Sequence, residues 1–193
     1  MKILLIDNYD SFTFNVVHLL RQAGVSDITV KRNTALALES LKSYDAVLAS
    51  PGPGLPSDSG SLMEAVHYCL QHSIPYLGIC LGHQALGEAM GAKLKQLDAV
   101  KHGVQEPCSQ VVSSDLLHKL PSTFEIGRYH SWVVDKDELP SEFEVLAEST
   151  DGVIQAASVK GKPAFGLQFH PESIMSEAVG KTILLNFLNL AKR

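Results

Sequence analysis

Residues 74–90 read IPYLGICLGHQALGEAM, an apolar run that changes into a helical pattern at Cys80. Ile74 to Ile79 is almost wholly apolar, which is typical of a strand buried on both faces of a parallel sheet. Leu81 to Met90 carries apolar residues at helical spacing, and Gly91 follows as a residue that commonly ends a helix. A buried strand joined directly to a helix predicts an α/β fold.

The turn between this strand and this helix has the spacing of a nucleophile elbow, with Gly78 and Gly82 two residues before and after Cys80. Such a turn holds its middle residue in a strained conformation and brings neighbouring backbones close, so both flanking positions need a small residue. The thiol of Cys80 would point away from the core, at a helix N-terminus whose partial positive charge stabilises a thiolate. We therefore predict that Cys80 is a nucleophile and that Cys69 and Cys108 are buried structural thiols.

Strands and helices alternate through the first half of the chain. Strands are predicted at residues 2–7, 28–31 and 46–49, and the helices that follow them at 11–23, 35–41 and 61–71. From about Lys93 to Gln168 the helical period disappears, and short β-like segments appear at 144–146, 153–159 and 164–169. A last amphipathic helix is predicted at 176–190. The pattern predicts one α/β domain over residues 1–193, with a mostly parallel central sheet and added antiparallel strands at its edge.

Composition excludes several classes of protein. The chain has 193 residues, 45% hydrophobic and 19% charged, which is typical of one folded domain. Its net charge is −5 without long blocks of like charge, so we expect no nucleic-acid partner. No apolar run approaches the roughly 20 residues of a membrane span, and the start lacks the apolar core of a signal peptide. We expect no membrane partner, a cytoplasmic location and three free thiols.

A cysteine nucleophile needs a base and a group that orients the base. The candidate is QFHPES at residues 168–173, in which His170 ends an apolar strand pattern and Glu172 lies two residues later. A carboxylate there could fix the tautomer of the imidazole and stabilise the imidazolium. The arrangement predicts a Cys80, His170 and Glu172 triad.

A third candidate element is SPGPG at residues 50–54, which follows a predicted parallel strand. In open α/β sheets, sites form at the carboxyl ends of such strands. Prolines have no N–H, so Gly52 and Gly54 are the available backbone donors of this loop. Together with the N–H of Leu81 they could stabilise the oxyanion of a tetrahedral intermediate.

Metal and nucleotide sites are not predicted. The eight histidines form no His-Glu-x-x-His helix, there is no Cys-x-x-Cys pair, and no Gly-rich phosphate loop follows a strand. Asp7 and Asp10 raise the alternative of a phosphoacceptor receiver domain, but that domain also needs an aspartate at the end of the third strand. Here Asp45 precedes that strand and Ser50 ends it. We expect a structural or partner-facing role for the residues after the first strand, which are Asp7, Asn8, Asp10 and Ser11.

Five ordered blocks of sequence resemble the class I, triad-type glutamine amidotransferases. They are DNYDSFT at 7–13, SPGPG at 50–54, GICLGHQ at 78–84, RYHS at 128–131 and QFHPES at 168–173. The resemblance runs nearly end to end, and more narrowly it is to the glutaminase subunits of anthranilate synthase and aminodeoxychorismate synthase. It implies a flavodoxin-like, open, mostly parallel sheet flanked by helices, with an added antiparallel edge sheet.

The resemblance also implies a reaction and a set of residues. Cys80 would attack the side-chain amide of L-glutamine, giving a γ-glutamyl thioester and ammonia, and water would then release glutamate. The implied glutamine-binding residues are Gly52, Gly54, Gln84, His130 and Ser131, with the backbone of Leu81 completing the oxyanion hole. No metal and no cofactor in this chain are implied. The ammonia would pass to a separate, larger, chorismate-binding synthase subunit, which His83 and His102 are expected to face.

Two other functions stay open at this point. The protein could be a stand-alone cysteine hydrolase that acts on γ-glutamyl compounds, or a non-catalytic regulatory or binding module that retains the motifs. The sequence also leaves open whether the synthase serves tryptophan or folate biosynthesis.

Overall fold

Nine strands form one mixed sheet in the computed structural model, which describes residues 1–193. The strands are β1 (Lys2–Asp7), β2 (Asp27–Arg32), β3 (Ala46–Ala49), β4 (Tyr76–Ile79), β5 (Leu94–Gln110), β6 (Thr123–Val134), β7 (Phe143–Ser149), β8 (Ile154–Val159) and β9 (Ala164–Leu167). The α-helices are α1 (Thr13–Gln22), α2 (Leu62–His72), α3 (Leu81–Ala89) and α4 (Glu177–Leu190). None of these helices is long and apolar enough to cross a bilayer.

The order of the strands explains where a site can form. The first five positions of the sheet are held by β2, β1, β3, β4 and β9, which are parallel and follow the order of flavodoxin-like folds. Beyond β9 the sheet continues as β8, β7, β5 and β6, each antiparallel to its neighbours. The predicted fold class is confirmed, and the antiparallel strands are continuous with the parallel ones.

Strand β9 joins the two halves of the sheet. The sequence pattern places residues 164–169 among antiparallel strands, and this prediction is wrong for the pairing of β9 with β4. It is antiparallel to β8 but parallel to β4, with Gly166 opposite Gly78. A four-residue apolar strand carries no information about direction, because direction depends on which distant strand it meets.

Two hydrophobic cores lie on the two faces of the sheet. In β1, Ile3 and Leu5 belong to one core, and Leu4 and Ile6 to the other. The apolar faces of α1 and α4 complete the first core, and those of α2 and α3 the second. Because successive residues of a strand point to opposite faces, burial on both sides requires the continuous apolar runs seen in the sequence.

One predicted helix is wrong. Instead of an α-helix at residues 35–41, the chain forms two 3₁₀ helices, Asn33–Ala35 and Leu38–Ser43, separated by extended backbone at Leu36. Leu38 and Leu41 are three residues apart, a spacing that fits a 3₁₀ helix as well as an α-helix. Asn33 and Leu41 are the only buried residues of the two 3₁₀ helices, which is too few apolar positions to specify an α-helix.

The candidate residues gather at one edge of the sheet. Because β1, β3, β4 and β9 are parallel, their carboxyl ends lie side by side. The segments that leave these ends begin at Asn8, Ser50, Cys80 and Gln168. The fold therefore brings together four of the five blocks of sequence identified above.

Candidate active site

Cys80 occupies a strained turn between β4 and α3. Its backbone angles are φ 51° and ψ −99°, although it is not a glycine, and it is the N-cap residue of α3. Its N–H donates to the carbonyl of Leu167 at 2.7 Å, and its own carbonyl accepts the first helical bond from Gln84 at 3.0 Å. A strained, doubly anchored residue at a helix N-terminus is the geometry of a nucleophile elbow.

Close packing of backbone against backbone enforces this turn. A side chain at Gly78 would overlap the carbonyl oxygen of Gly82 and lie 2.6 Å from the backbone nitrogen of His83. The hydroxyl of Tyr76, on β4, donates to the same Gly82 carbonyl at 2.9 Å. Sequence reasoning identified the two glycines but missed Tyr76, which fastens the first turn of α3 to the strand before it.

His170 and Glu172 form a buried pair. Nδ1 of His170 lies 2.7 Å from Oε1 of Glu172, and both side chains are almost fully buried. Burial by itself lowers the pKa of His170, but hydrogen bonding and charge from Cys80 and Glu172 outweigh it and raise the pKa to about 10. Nε2 of His170 is buried and has no hydrogen-bond partner within the chain, although Cys80 lies close enough to influence the pKa of the ring. The arrangement favours an imidazolium beside the sulfur.

The other two cysteines lie in different surroundings. Cys69 and Cys108 are buried in the two hydrophobic cores and form no disulfide. Burial raises the pKa of each of these thiols to about 12. Both are therefore protonated at neutral pH, and their side chains contribute packing rather than chemistry.

The SPGPG loop lies against the elbow at Gly52 but not at Gly54. A side chain at Gly52 would come within 2.5 Å of Leu81 and 2.6 Å of Asn8. The Gly52 N–H donates to no acceptor within the chain, and the Leu81 N–H, in the first helical turn, has no intrahelical acceptor. Gly54 is exposed, has a φ of +78° and would place a side chain in open space.

Asn8 holds this loop in position. Its backbone N–H donates to Oγ of Ser50 at 3.0 Å, and its side chain donates to the Ser50 carbonyl at 2.8 Å. Asn33 in turn donates to the side-chain oxygen of Asn8 at 3.0 Å. The structural role expected for the residues after β1 is therefore visible at Asn8, which ties the ends of β1 and β3 together.

His130 is a buried neutral imidazole. Nε of the fully buried Arg128 donates to its Nε2 at 3.2 Å, while Nη1 of Arg128 pairs with Glu106 at 2.5 Å and Asp151 at 2.9 Å. Burial, with the charges of Arg128 and His170, lowers the pKa of His130 to about 3. Because Nε2 is an acceptor, the proton lies on Nδ1, which is buried without a partner in the chain.

Two glutamines connect Cys80 to β6. Nε2 of Gln84 donates to the Trp132 carbonyl at 2.8 Å and to Oε1 of Gln168 at 3.2 Å. Nε2 of Gln168 lies 3.6 Å from Sγ of Cys80. Ser131 precedes Trp132 and is half-buried, with no side-chain partner in the chain. Sequence reasoning gave Gln168 no role, although strand alternation places it on the same face as His170, two residues later.

His83 does not face a partner. Its side chain is fully buried, and neither ring nitrogen has a hydrogen-bond partner. Burial lowers its pKa to about 3, so the ring is neutral. The expectation of a partner-facing His83 is wrong, because the helical turn after Cys80 directs this position towards β9, where the ring packs on Gly166. His102 is exposed, and its role stays a prediction.

A wide cleft beside the triad does not contain the nucleophile. It measures about 730 Å³ and lies between α1, α4 and the segment that follows His170, with Glu172 and Ile174 in its lining. Cys80 is only 6% exposed. No group of three His, Cys, Asp or Glu side chains is arranged to hold a metal ion. That the chain carries no cofactor stays a prediction.

Comparison with known proteins places this geometry in a family. The family model of the class I glutamine amidotransferases matches residues 4–190. A crystal structure of a glutamine amidotransferase from Thermotoga maritima superposes with a TM-score of 0.83 over 100% of this chain and 99% of that one. At 17% identity that likeness shows the fold alone.

Two curated relatives are similar along almost their whole length. The chain is 40% identical to anthranilate synthase component 2 of Azospirillum brasilense, over 99% of this chain and 97% of that protein. It is 36% identical to aminodeoxychorismate/anthranilate synthase component 2 of Bacillus subtilis, again over 99% and 97% of the two chains. The chain belongs to the class I glutamine amidotransferases.

Proposed function

We propose that this chain is the glutaminase subunit of a chorismate-aminating synthase, and that it hydrolyses L-glutamine through a γ-glutamyl thioester on Cys80. The observation that carries the proposal is Cys80 in a strained elbow next to the buried His170 and Glu172 pair. The chain combines this geometry with full-length similarity to component 2 proteins. Residues 1–193 would form one glutamine amidotransferase domain.

The raised pKa of His170 supports the starting state of the reaction, a thiolate beside an imidazolium. The thiolate attacks the side-chain carbonyl carbon of glutamine, and the oxygen of the tetrahedral intermediate becomes negative. The donors that would stabilise this oxyanion are the unused N–H of Gly52 and the unused N–H of Leu81, which lies at the N-terminus of α3. The backbones of the SPGPG loop and of the elbow would thus supply the oxyanion hole.

Collapse of the intermediate breaks the C–N bond. His170 gives its proton to the departing amide nitrogen, and ammonia leaves a thioester on Cys80. Neutral His170, with its tautomer fixed by Glu172 at Nδ1, then takes a proton from water, and the hydroxide attacks the thioester. Glutamate leaves, the thiolate and imidazolium are restored, and one glutamine and one water have become one glutamate and one ammonia.

Glutamine binding is assigned to groups that the chain leaves unsatisfied. Nδ1–H of His130 has no partner, Oε1 of Gln84 accepts no hydrogen bond, and the hydroxyl of Ser131 is unpaired. These groups can recognise the amide, ammonium and carboxylate of glutamine. Gly54, exposed and away from Leu81, would contact substrate only through its backbone.

The component 2 names of the relatives support a larger synthase subunit as partner. The Bacillus subtilis protein bears the names of both aminodeoxychorismate and anthranilate synthase, so either synthase fits. The same names count against a stand-alone hydrolase or a non-catalytic module. We further propose that the chain acts in the cytoplasm and needs no cofactor of its own.

Covalent labelling tests the proposal without the partner. The protein is treated with a glutamine-mimicking electrophile, with and without excess glutamine, and its intact mass and peptides are analysed. We expect one adduct on Cys80, protected by glutamine and absent in Cys80→Ala, with Cys69→Ser as the matched control that keeps the adduct. Labelling spread over Cys69 and Cys108, or none with candidate synthase subunits added, would contradict the proposal.

A further inference from the structure

The side chain of Gln168 contacts the sulfur of Cys80. Gln168 directly follows β9 and is fully buried, and its Nε2 lies 3.6 Å from Sγ. Its backbone N–H donates to the carbonyl of Gln155 on β8 at 2.9 Å, while the carbonyl of the residue before it, Leu167, accepts from the N–H of Cys80. The position of Gln168 relative to the elbow is therefore set by the sheet itself.

The orientation of the Gln168 amide follows from its neighbours. The Trp132 carbonyl can only accept, so Gln84 must present Nε2 to it, at 2.8 Å. The second hydrogen of that Nε2 needs an acceptor, which is Oε1 of Gln168 at 3.2 Å. Gln168 must then direct its own Nε2 towards the sulfur. A chain of hydrogen bonds that begins at a backbone carbonyl thus leaves Cys80 facing a donor.

We propose that Gln168 is a catalytic residue whose Nε2–H stabilises the thiolate of Cys80, held in that orientation by Gln84 and the Trp132 carbonyl. A donor on a sulfur interacts far more strongly with the anion than with the neutral thiol. His170 would act on the sulfur through its charge, and Gln168 as a neutral donor from the end of the same strand. The role in glutamine hydrolysis rests on the proposed function, whereas the contact with the sulfur does not.

The same chain of hydrogen bonds determines what Gln84 offers to substrate. With both hydrogens of Nε2 used, Gln84 keeps only Oε1, which accepts nothing within the chain. The group that it recognises must therefore be a donor, either the amide nitrogen or the ammonium of an amino-acid substrate. Substrate binding at Gln84 and stabilisation of Cys80 are consequently linked through Gln168.

The test measures the thiolate of Cys80 in the full-length protein at fixed neutral pH. The ultraviolet absorbance of the thiolate is taken as a difference from Cys80→Ala, and the rate of alkylation by iodoacetamide is followed at the Cys80 peptide. Gln168→Met removes the donor at nearly constant volume. Gln155→Met is the matched control, because Gln155 is an equally buried glutamine on the neighbouring strand whose side chain bonds Ser149 and not Cys80.

We expect the ratio of thiolate to thiol at Cys80 to fall on the order of tenfold in Gln168→Met, as for loss of a hydrogen bond to a charged group. Gln155→Met should leave that ratio unchanged, even where the two variants lose similar stability in urea. Gln84→Met should lower the ratio by less, and should add nothing in the Gln168→Met background. Gln168→Asn, which withdraws the amide by one methylene, is the second variant in case Met prevents folding.

An unchanged thiolate ratio in folded Gln168→Met or Gln168→Asn would overturn the inference, as would an equal fall in Gln155→Met. The titratable groups of this region are His170, which Cys80 and Glu172 influence, and His130, which His170 and His83 influence, and all variants keep them. The measurement needs neither glutamine nor a synthase. Failure of the proposed function, seen as labelling spread over Cys69 and Cys108 or as no labelling with synthase subunits added, is therefore a distinct outcome.

Discussion

The buried His83 makes the folded protein sensitive to acid. The ring is fully buried, its two nitrogens have no partners, and burial lowers its pKa from the ordinary value of 6.5 to about 3. In the unfolded chain the same ring takes up a proton below pH 6.5. The folded state therefore has to keep His83 neutral over a range in which the unfolded state is free to charge it.

The sign and size of the effect follow from this difference in pKa. The depressed pKa of His83 contributes stability that is fully present above pH 6.5 and is lost as the pH falls from 6.5 towards 3. The loss is about 1.4 kcal/mol per pH unit, or about 2 kcal/mol at pH 5. His130, whose pKa is also lowered to about 3, adds an equal loss. His170 adds none, because its pKa is raised and it is protonated in both states below pH 6.5.

The assay is urea unfolding of His83→Met at a series of pH values between about 6 and 5, below the ordinary pKa of histidine. Methionine is close to histidine in volume and does not titrate, so we expect about half of the acid slope to disappear, from about 2.7 to about 1.4 kcal/mol per pH unit. His67→Gln, at an exposed position of α2, is the matched control and should keep the full slope. An unchanged slope in His83→Met would refute the reasoning, because it would mean that His83 charges in the folded state.

Three further substitutions test the elbow, the triad and the buried arginine. Gly78→Ala places a methyl group against the carbonyl of Gly82. The free energy of unfolding in urea should therefore fall by about 3 kcal/mol or more. Labelling of Cys80 at the wild-type level in this variant would contradict the need for a glycine at this turn. Glu172→Gln removes the partner that helps raise the pKa of His170. A stopped glutaminase assay should show kcat reduced about 100-fold or more, with the pH profile of kcat shifted to lower pH. A profile that does not shift would contradict the coupling of His170 to Glu172. Arg128→Met removes the fully buried cation of Asp151 and Glu106, of which Glu106 alone keeps a second cation, Lys101. The free energy of unfolding should therefore fall by about 3 kcal/mol, and a fall below about 1 kcal/mol would argue against a buried ion pair.

The parts of the site that the sequence could predict depend on local sterics. Gly78 and Gly82 are required two residues on either side of Cys80 because the backbones there nearly touch, and any sequence with that turn must show the same spacing. The pairing of His170 with Glu172 is equally local, since two residues separate them. Such constraints act between residues close together in the sequence, so a short stretch of sequence is enough to predict them.

The parts that could not be predicted depend on distant segments meeting. Gln168 receives its role from Gln84 and from the Trp132 carbonyl, and nothing near residue 168 indicates either contact. Strand β5 is similar: its pairing with β6 shifts register between Gln96 and Lys101 and again near Gly103, so its alternation is broken. When the alternation of inward- and outward-facing residues is interrupted twice, the sequence does not predict one continuous strand of 17 residues.

Product formation in the reconstituted synthase tests the central claim most directly. The chain is combined with anthranilate-forming and aminodeoxychorismate-forming synthase subunits, and product is measured with glutamine or with ammonia as nitrogen source. We predict that Cys80→Ala abolishes the glutamine-dependent reaction with whichever subunit is the partner, while the ammonia-dependent reaction stays at the wild-type level. Glutamine-dependent product from Cys80→Ala equal to that of the wild type would contradict the claim that this chain releases ammonia from glutamine at Cys80.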